Sequence, residues 1–254
     1  MPDNLIITGG TSETGKVLVP KLRDLGHHLI ISDRVGASFE KPFSHIPEEQ
    51  RTFWPVDLSN FLESDWSGID NVTGVILLAA AGLTPGMTEE RAEAINCTSQ
   101  VALVKHIWEK KAHPSGCRVV FINSLWGSNP DLELPHKDYG IVAYGKNKAE
   151  IALRELTKTQ PISNTLNVVV ASIVDKTFAA IMLKRAMNKE AKDPGAFDAF
   201  VLKKTPDGRL VTLEEDTDAL MRAFCSEKGG QTFFVPPSAA EGKWPNQNML
   251  AISA

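Results

Sequence analysis

The sequence has little of what would commit it to several large functional classes. Its three cysteines, Cys97, Cys117 and Cys225, are an odd, widely spaced set without a CxxC pair. That suits neither a disulfide framework nor a zinc site, and reduced thiols in a cytoplasmic protein are expected. No apolar stretch approaches the ~20 residues that span a bilayer, and no basic region followed by a long apolar run opens the chain, so neither membrane insertion nor export is expected. Positive charge is not in excess: 27 Lys+Arg stand against 31 Asp+Glu, a net charge of −4. This leaves no electrostatic footprint for nucleic acid or an acidic membrane. His27, His28 and His106 lack ligand spacing to one another, and no metal is expected. Small molecules are the partners left. Tyrosine is scarce, with only Tyr139 and Tyr144 in 254 residues, so any tyrosine chemistry must use one of these two.

What is present is a 43% hydrophobic content, enough for a substantial core. Short apolar, β-branched runs recur at Leu5–Thr8, Leu29–Ser32, Thr52–Val56, Gly74–Ala79, Arg118–Ile122, Asn167–Ala171 and Thr232–Val235. Longer stretches of helical spacing lie between most of them, at Lys16–Leu25, Glu89–Lys111, Val142–Thr159, Lys176–Lys189 and Leu213–Ser226. The alternation predicts an α/β fold: a Rossmann-type, doubly wound parallel sheet of about seven strands with helices on both faces. A single domain over residues 1–254 with a small C-terminal substrate-binding portion is expected. Two polar, proline-interrupted segments, "SNPDLELPHKD" and "NKEAKDPGAFD", read as linkers bordering a cleft, and the substrate-facing segments are expected near 126–140 and 174–210.

The stretch "LIITGGTSETGK", residues 5–16, reads as a buried strand, a glycine-rich turn and a helix. In such a turn backbone N–H groups and the helix N-terminus lie under a pyrophosphate. Gly9, Gly10 and Gly15 supply the close approach, with Thr11, Ser12, Glu13 and Thr14 around the phosphates. Asp33 ends the second strand about 20 residues on, where a carboxylate accepts from the ribose hydroxyls and repels a 2′-phosphate; NAD rather than NADP is expected. Arg34 beside it can stack on adenine or pair with a phosphate. Asp57 and Leu58 follow the third strand at the adenine end, and Ala79, Ala80 and Ala81 are small enough for a cofactor to lie across the fourth.

In "AYGKNKAE" Tyr144 and Lys148 are four apart, so a helix projects both from one face, where the ammonium stabilises the phenolate. Ser124 in "FINSLWG" lies just past a predicted strand, placed to bond the same substrate oxygen. Tyr139 has Ala143 at +4 and is not an equivalent candidate. His136 sits in the loop between Ser124 and Tyr144, either reaching the substrate or solvated. Trp126 walls the pocket or packs, and the tail "EGKWPNQN" covers the cleft or extends from the surface.

With these landmarks in order, the chain resembles the short-chain dehydrogenase/reductase family from Leu5 to about Val235. "SDR", "DLSN", "LLAAAG" and "INCTSQ" look like its extended, epimerase/dehydratase-like branch, in a compact version. The resemblance implies Tyr144 as general acid/base, Lys148 as its activator and a holder of the nicotinamide ribose, Ser124 as substrate orienter and Asn96 as support for Lys148. It also implies a homodimer or homotetramer through the helices Glu89–Lys111 and Val142–Thr159. Two departures stand out. Glu13 occupies a position where the family usually has glycine, and is expected to turn outward or pair with Lys16 or Arg34. "ASIVDKT" lacks the Arg-Pro or Pro-Gly that usually follows the sixth strand. The implied activity is an NAD(H)-dependent oxidoreductase interconverting a hydroxyl and a carbonyl on a small polar, sugar-acid or hydroxy-acid-like substrate. An epimerase or dehydratase without net redox change, and a dinucleotide-binding sensor that does no chemistry, are the alternatives.

Overall fold

Seven strands, all parallel, form one sheet in the order β3-β2-β1-β4-β5-β6-β7. They are β1 Asn4–Thr8, β2 His28–Asp33, β3 Arg51–Pro55, β4 Val72–Leu77, β5 Arg118–Ser124, β6 Thr165–Ala171 and β7 Thr232–Val235. The helices are α1 Glu13–Arg23, α2 Glu40–Phe43, α3 Glu89–Glu93, α4 Ser99–Lys110, α5 Leu125–Ser128, α6 Lys137–Lys158, α7 Phe178–Ala191, α8 Ala196–Lys204 and α9 Leu213–Cys225. The structure is a computed structural model and describes residues 3–34, 36–84 and 86–241. Residues 242–248 of the tail segment therefore lie outside the described residues.

The strand residues alternate between two cores, as the two-residue period of a strand requires. Ile6, Val75, Leu77, Val119, Phe121 and Val168 face α4 and α6, whose Leu103, Val104, Ile107, Ala149 and Leu153 cover them. Leu5, Ile7, Ile31, Ile76, Val120 and Val169 face α1 and α9 through Leu18, Val19, Leu22, Ala219 and Leu220. Burial of such side chains on both faces, each worth about 1.5–3 kcal/mol, explains why the central runs are apolar without a break.

Three differences from the sequence reading have local causes. The helix expected over Glu89–Lys111 is broken by a π-turn at Ala94–Thr98, which rotates Asn96 inward. The helix expected from Val142 starts at Lys137, because His136 caps it by accepting from the Asp138 N–H. The segment read as a linker at 188–198 ends α7 and starts α8, with Asn188 accepting from the Phe197 N–H and donating to the Pro194 carbonyl. Cys97, Cys117 and Cys225 are free thiols, and no helix among the described residues is long and apolar enough to cross a membrane.

Candidate functional site

A cleft of about 1390 Å³ runs across the C-terminal ends of β1 to β6. It includes the gap between β1 and β4, where the chain order reverses and open α/β sheets take their ligands. The volume exceeds the ≈ 300–1,000 Å³ of a drug-sized site and leaves room for a dinucleotide with a second molecule. Of the expected loop and strand-end residues, Gly9, Thr11, Ser12, Glu13, Thr14, Asp33, Arg34, Asp57, Leu58, Ala79, Ala80 and Ala81 line it, whereas Gly10 and Gly15 lie behind them.

The turn after β1 is built for close approach. Gly9 has φ +67°, and a Cβ there would lie 2.9 Å from the Ala79 N. Ser12 caps α1 by accepting from the Gly15 N–H, leaving the first turn's N–H groups toward the cleft. Glu13 pairs with Lys16 at 2.6 Å, and its side chain is 45% exposed. The Asp33 carboxylate ties the loop to β2, with Oδ2 accepting from the N–H and hydroxyl of Thr11 and Oδ1 from the Arg34 N–H. Asp57 accepts from the hydroxyl and N–H of Ser59, which hold its carboxyl below the usual range, with Arg91 at 3.8 Å. Beside them the Ser32 hydroxyl is buried without a partner, a polar atom that a bound ribose or adenine can satisfy.

At the other end of the cleft the structure brings together a set different from the sequence expectation. Ser124 caps α5 and lines the cleft, but the Tyr144 and Lys148 side chains do not. Tyr144 is 61% exposed, and Lys148 lies 4.4 Å above its ring and 2.8 Å from Glu93 on α3. The expected i, i+4 pairing exists, but on the outer face of α6. The reason is helical phase. Val142, Ala143, Lys146, Ala149 and Leu153 are the buried stripe, and positions 144 and 148 lie two residues, about 200°, away from 142 and 146. The Asn96 side chain makes its hydrogen bonds elsewhere. Its amide clasps Ala81, accepting from the N–H at 2.8 Å and donating to the carbonyl at 2.6 Å, and so fixes the turn after β4. Gln100, which sequence reasoning passed over, clamps the same turn through the Ala79 carbonyl.

On the cleft face of α6 stand Tyr139, Val142 and Lys146. The Tyr139 ring packs edge-on against Trp126 at 5.7 Å, and burial pushes its hydroxyl up to about 12, with Ser124 opposing part of the effect. The Lys146 ammonium donates to the Ile122 carbonyl at 2.6 Å, and burial pulls it down to about 8. The Asp216 carboxyl, at 0% exposure, is pushed up to about 7 by burial. The missed residues carried a signal in the sequence: positions 139, 142, 146, 149 and 153 share the helical stripe of the apolar residues, and 144 and 148 do not. Trp126 packs behind Tyr139 and donates to the Glu133 carbonyl. His136 does not line the cleft; its Nε2 meets Glu190 of α7 at 2.7 Å. Among the described residues no group of three or more metal-ligating side chains comes together.

No family model and no curated protein matches the sequence. Solved structures do match the fold. A 3-oxoacyl (acyl-carrier-protein) reductase from Agrobacterium tumefaciens, solved with NADP bound, has a TM-score of 0.73 at 21% identity, over 91% of this chain and 92% of its own. A short-chain dehydrogenase/reductase of the glucose/ribitol dehydrogenase type from Brucella melitensis has a TM-score of 0.72 at 16% identity, over 93% and 96%. A short chain dehydrogenase family protein from Francisella tularensis has a TM-score of 0.68 at 18% identity, over 95% and 100%. With its strand order, its glycine turn and these neighbours, the chain has the fold of the short-chain dehydrogenases/reductases.

Proposed function

We propose that the protein is a nicotinamide-dinucleotide-dependent oxidoreductase acting as one domain. It would interconvert a hydroxyl and a carbonyl on a small polar, sugar-acid or hydroxy-acid-like substrate, with NAD(H) favoured over NADP(H). In this reading Ser124 and Tyr139, not Tyr144, meet the substrate oxygen. That Ser124 and Tyr139 line the cleft together, while Tyr144 does not, is the observation that carries the assignment. The residues fit a dinucleotide, since the Gly9 cradle would be filled by a Cβ and the buried Ser32 hydroxyl lacks a partner. When bound, the nicotinamide ring supplies or accepts the hydride.

The chain's own groups divide the remaining work. Asp33 would hold the ribose hydroxyls and disfavour a 2′-phosphate, and the N–H groups at the start of α1 would hold the pyrophosphate. Tyr139, held up near 12, is protonated at neutral pH and donates its proton to a substrate oxygen, with Ser124 sharing that oxygen. Lys146 is two turns along the same face, about 10.5 Å of rise, too far to lower the Tyr139 hydroxyl as an adjacent ammonium would. Carbonyl reduction, which needs the protonated phenol, is therefore the favoured direction near neutrality. The segments 126–140 and 174–210 would wall the substrate end, held together by His136–Glu190 and Lys204–Glu133. The outer face of α6, where Tyr144 and Ile151 are exposed, would meet a second copy in a homodimer or homotetramer.

The test is NADH and NADPH oxidation against panels of keto acids, aldehydes and ketones with the native protein, Tyr139→Phe and Tyr144→Phe. Tyr139→Phe is expected to lose at least ~10²-fold in turnover, the lower end for general acid–base catalysis, and Tyr144→Phe to keep it. The reverse pattern would place the acid on the other face of α6. A second reading, a dinucleotide-binding sensor, is favoured by Val142, which stands four residues before Lys146 on the cleft face. It predicts cofactor binding without turnover on any panel.

A further inference from the structure

Asp216 lies in the first turn of α9, wholly buried, and it lines the cleft together with Thr14 of the dinucleotide turn. Its Oδ2 accepts from the Thr14 hydroxyl at 3.2 Å, across 202 residues of sequence, and its Oδ1 has no partner. An ionised carboxylate is acceptor-only, and beside a pyrophosphate it would face charge of its own sign with nothing to donate. A carboxylic acid instead offers one O–H, and a pyrophosphate offers only acceptors.

Resting on the dinucleotide reading above, we propose that Asp216 binds the cofactor in its protonated form, donating from Oδ1 to a pyrophosphate oxygen, so that cofactor binding takes up a proton. Atoms balance simply: the proton comes from solvent onto Asp216 when the cofactor binds and returns to solvent on release.

The charges around Asp216 leave this titration to few groups. From α1, Lys21 is taken by Glu214, Asp218 and the Thr217 hydroxyl, and Lys16 by Glu13. From β5, Arg118 donates to the Phe224 carbonyl near the other end of α9. The packed spans of β6 and β7 carry no charged residue. On α9 itself Glu215 pairs with Arg209, which lies just before the helix, while Glu214 and Asp218 are exposed and Arg222 is in the last turn. Lys146, from α6, is the cation that acts on Asp216, and together with the Thr14 hydrogen bond it opposes part of the effect of burial.

The sign follows from the raised carboxyl. With its free-state midpoint at about 7, the acid is already protonated at lower pH and binding needs no proton. Above that pH the free carboxylate must be protonated on binding, and affinity falls toward tenfold per pH unit.

The experiment is calorimetry of NADH and NADPH binding to the full chain in two buffers of different ionisation enthalpy, at about pH 6 and about pH 7.5. The native protein is expected to take up roughly half a proton or more per cofactor at about pH 7.5 and little at about pH 6. Asp216→Asn, which keeps a donor without titrating, is expected to lose this uptake and to hold its affinity across the interval. Thr14→Val removes the hydroxyl that steadies the carboxylate and should move the onset of the affinity loss to higher pH. This second variant keeps the test open should Asp216→Asn fold poorly. Binding without proton uptake, uptake unchanged in Asp216→Asn, or no shift in Thr14→Val overturns the proposal and leaves the dinucleotide reading standing. No binding of either cofactor at about pH 6 overturns both.

Discussion

Gly15→Ala probes the junction between the dinucleotide turn and α1. A Cβ at Gly15 would lie 2.2 Å from the Gly10 carbonyl oxygen and 2.6 Å from its carbon, where ordinary contact begins near 3.4 Å. Both atoms are backbone, so no side-chain rotation relieves the overlap, and α1 and the turn must separate by about an ångström at this point. Alanine in the first turn of a helix recovers up to about 1 kcal/mol over glycine, against about 1–3 kcal/mol for overpacking a tight site. The expected net loss is about 1–2 kcal/mol, or roughly 2–8 °C in Tm for a chain of this size. Affinity should suffer more than stability. The N–H groups moved off the pyrophosphate make charge-assisted bonds worth about 1.5–3 kcal/mol each, so the loss of one raises the Kd for NADH by roughly ten- to a hundredfold. Gly26→Ala is the control. It sits after α1 at φ +85° with nothing within 4 Å of the added Cβ. It should pay only the left-handed strain of about 1–2 kcal/mol, without changing cofactor affinity. Differential scanning calorimetry and NADH fluorescence titration read both quantities. A Gly15→Ala protein with native Tm and native Kd would refute the reasoning.

Three further outcomes follow from particular contacts. Asp33→Ala should narrow the preference for NADH over NADPH and also weaken NADH, because Thr11 loses both of its bonds to Oδ2; equal native affinity for the two cofactors would show that Arg34 governs this end. Glu13→Gly should tighten NADH by less than about tenfold, since the carboxylate is partly exposed and paired with Lys16; weaker binding in a titration at low salt would contradict this. Light scattering at micromolar concentration should show a dimer or tetramer, and a charge placed at Ile151, exposed on the outer face of α6, should shift it toward monomer; a monomeric native chain removes that interface.

The sheet was legible in the sequence because its causes are local. Each strand is a short, mainly apolar run, because a parallel strand buried on both faces favours apolar residues at most positions, so "GVILLAA" and "RVVFIN" announce β4 and β5 directly. The turn at Gly9 to Thr14 and the strand-end residues Asp33 and Asp57 were legible for the same reason: each needs only a few neighbouring residues to define its geometry. Tertiary structure alone decided which side of α6 faces the cleft. The spacing of Tyr144 and Lys148 fixes that they share a face, but not the rotation of the helix about its axis. That rotation is set by Ala143, Ala149 and Leu153 packing into the core on the sheet, and it turns Tyr139 and Lys146 inward instead. The π-turn that diverts Asn96 to Ala81 depends on how α3 and α4 meet α6, and the Asp216–Thr14 contact joins residues with no local relation at all. Periodicity reports a face; only the packed neighbours decide what that face looks at.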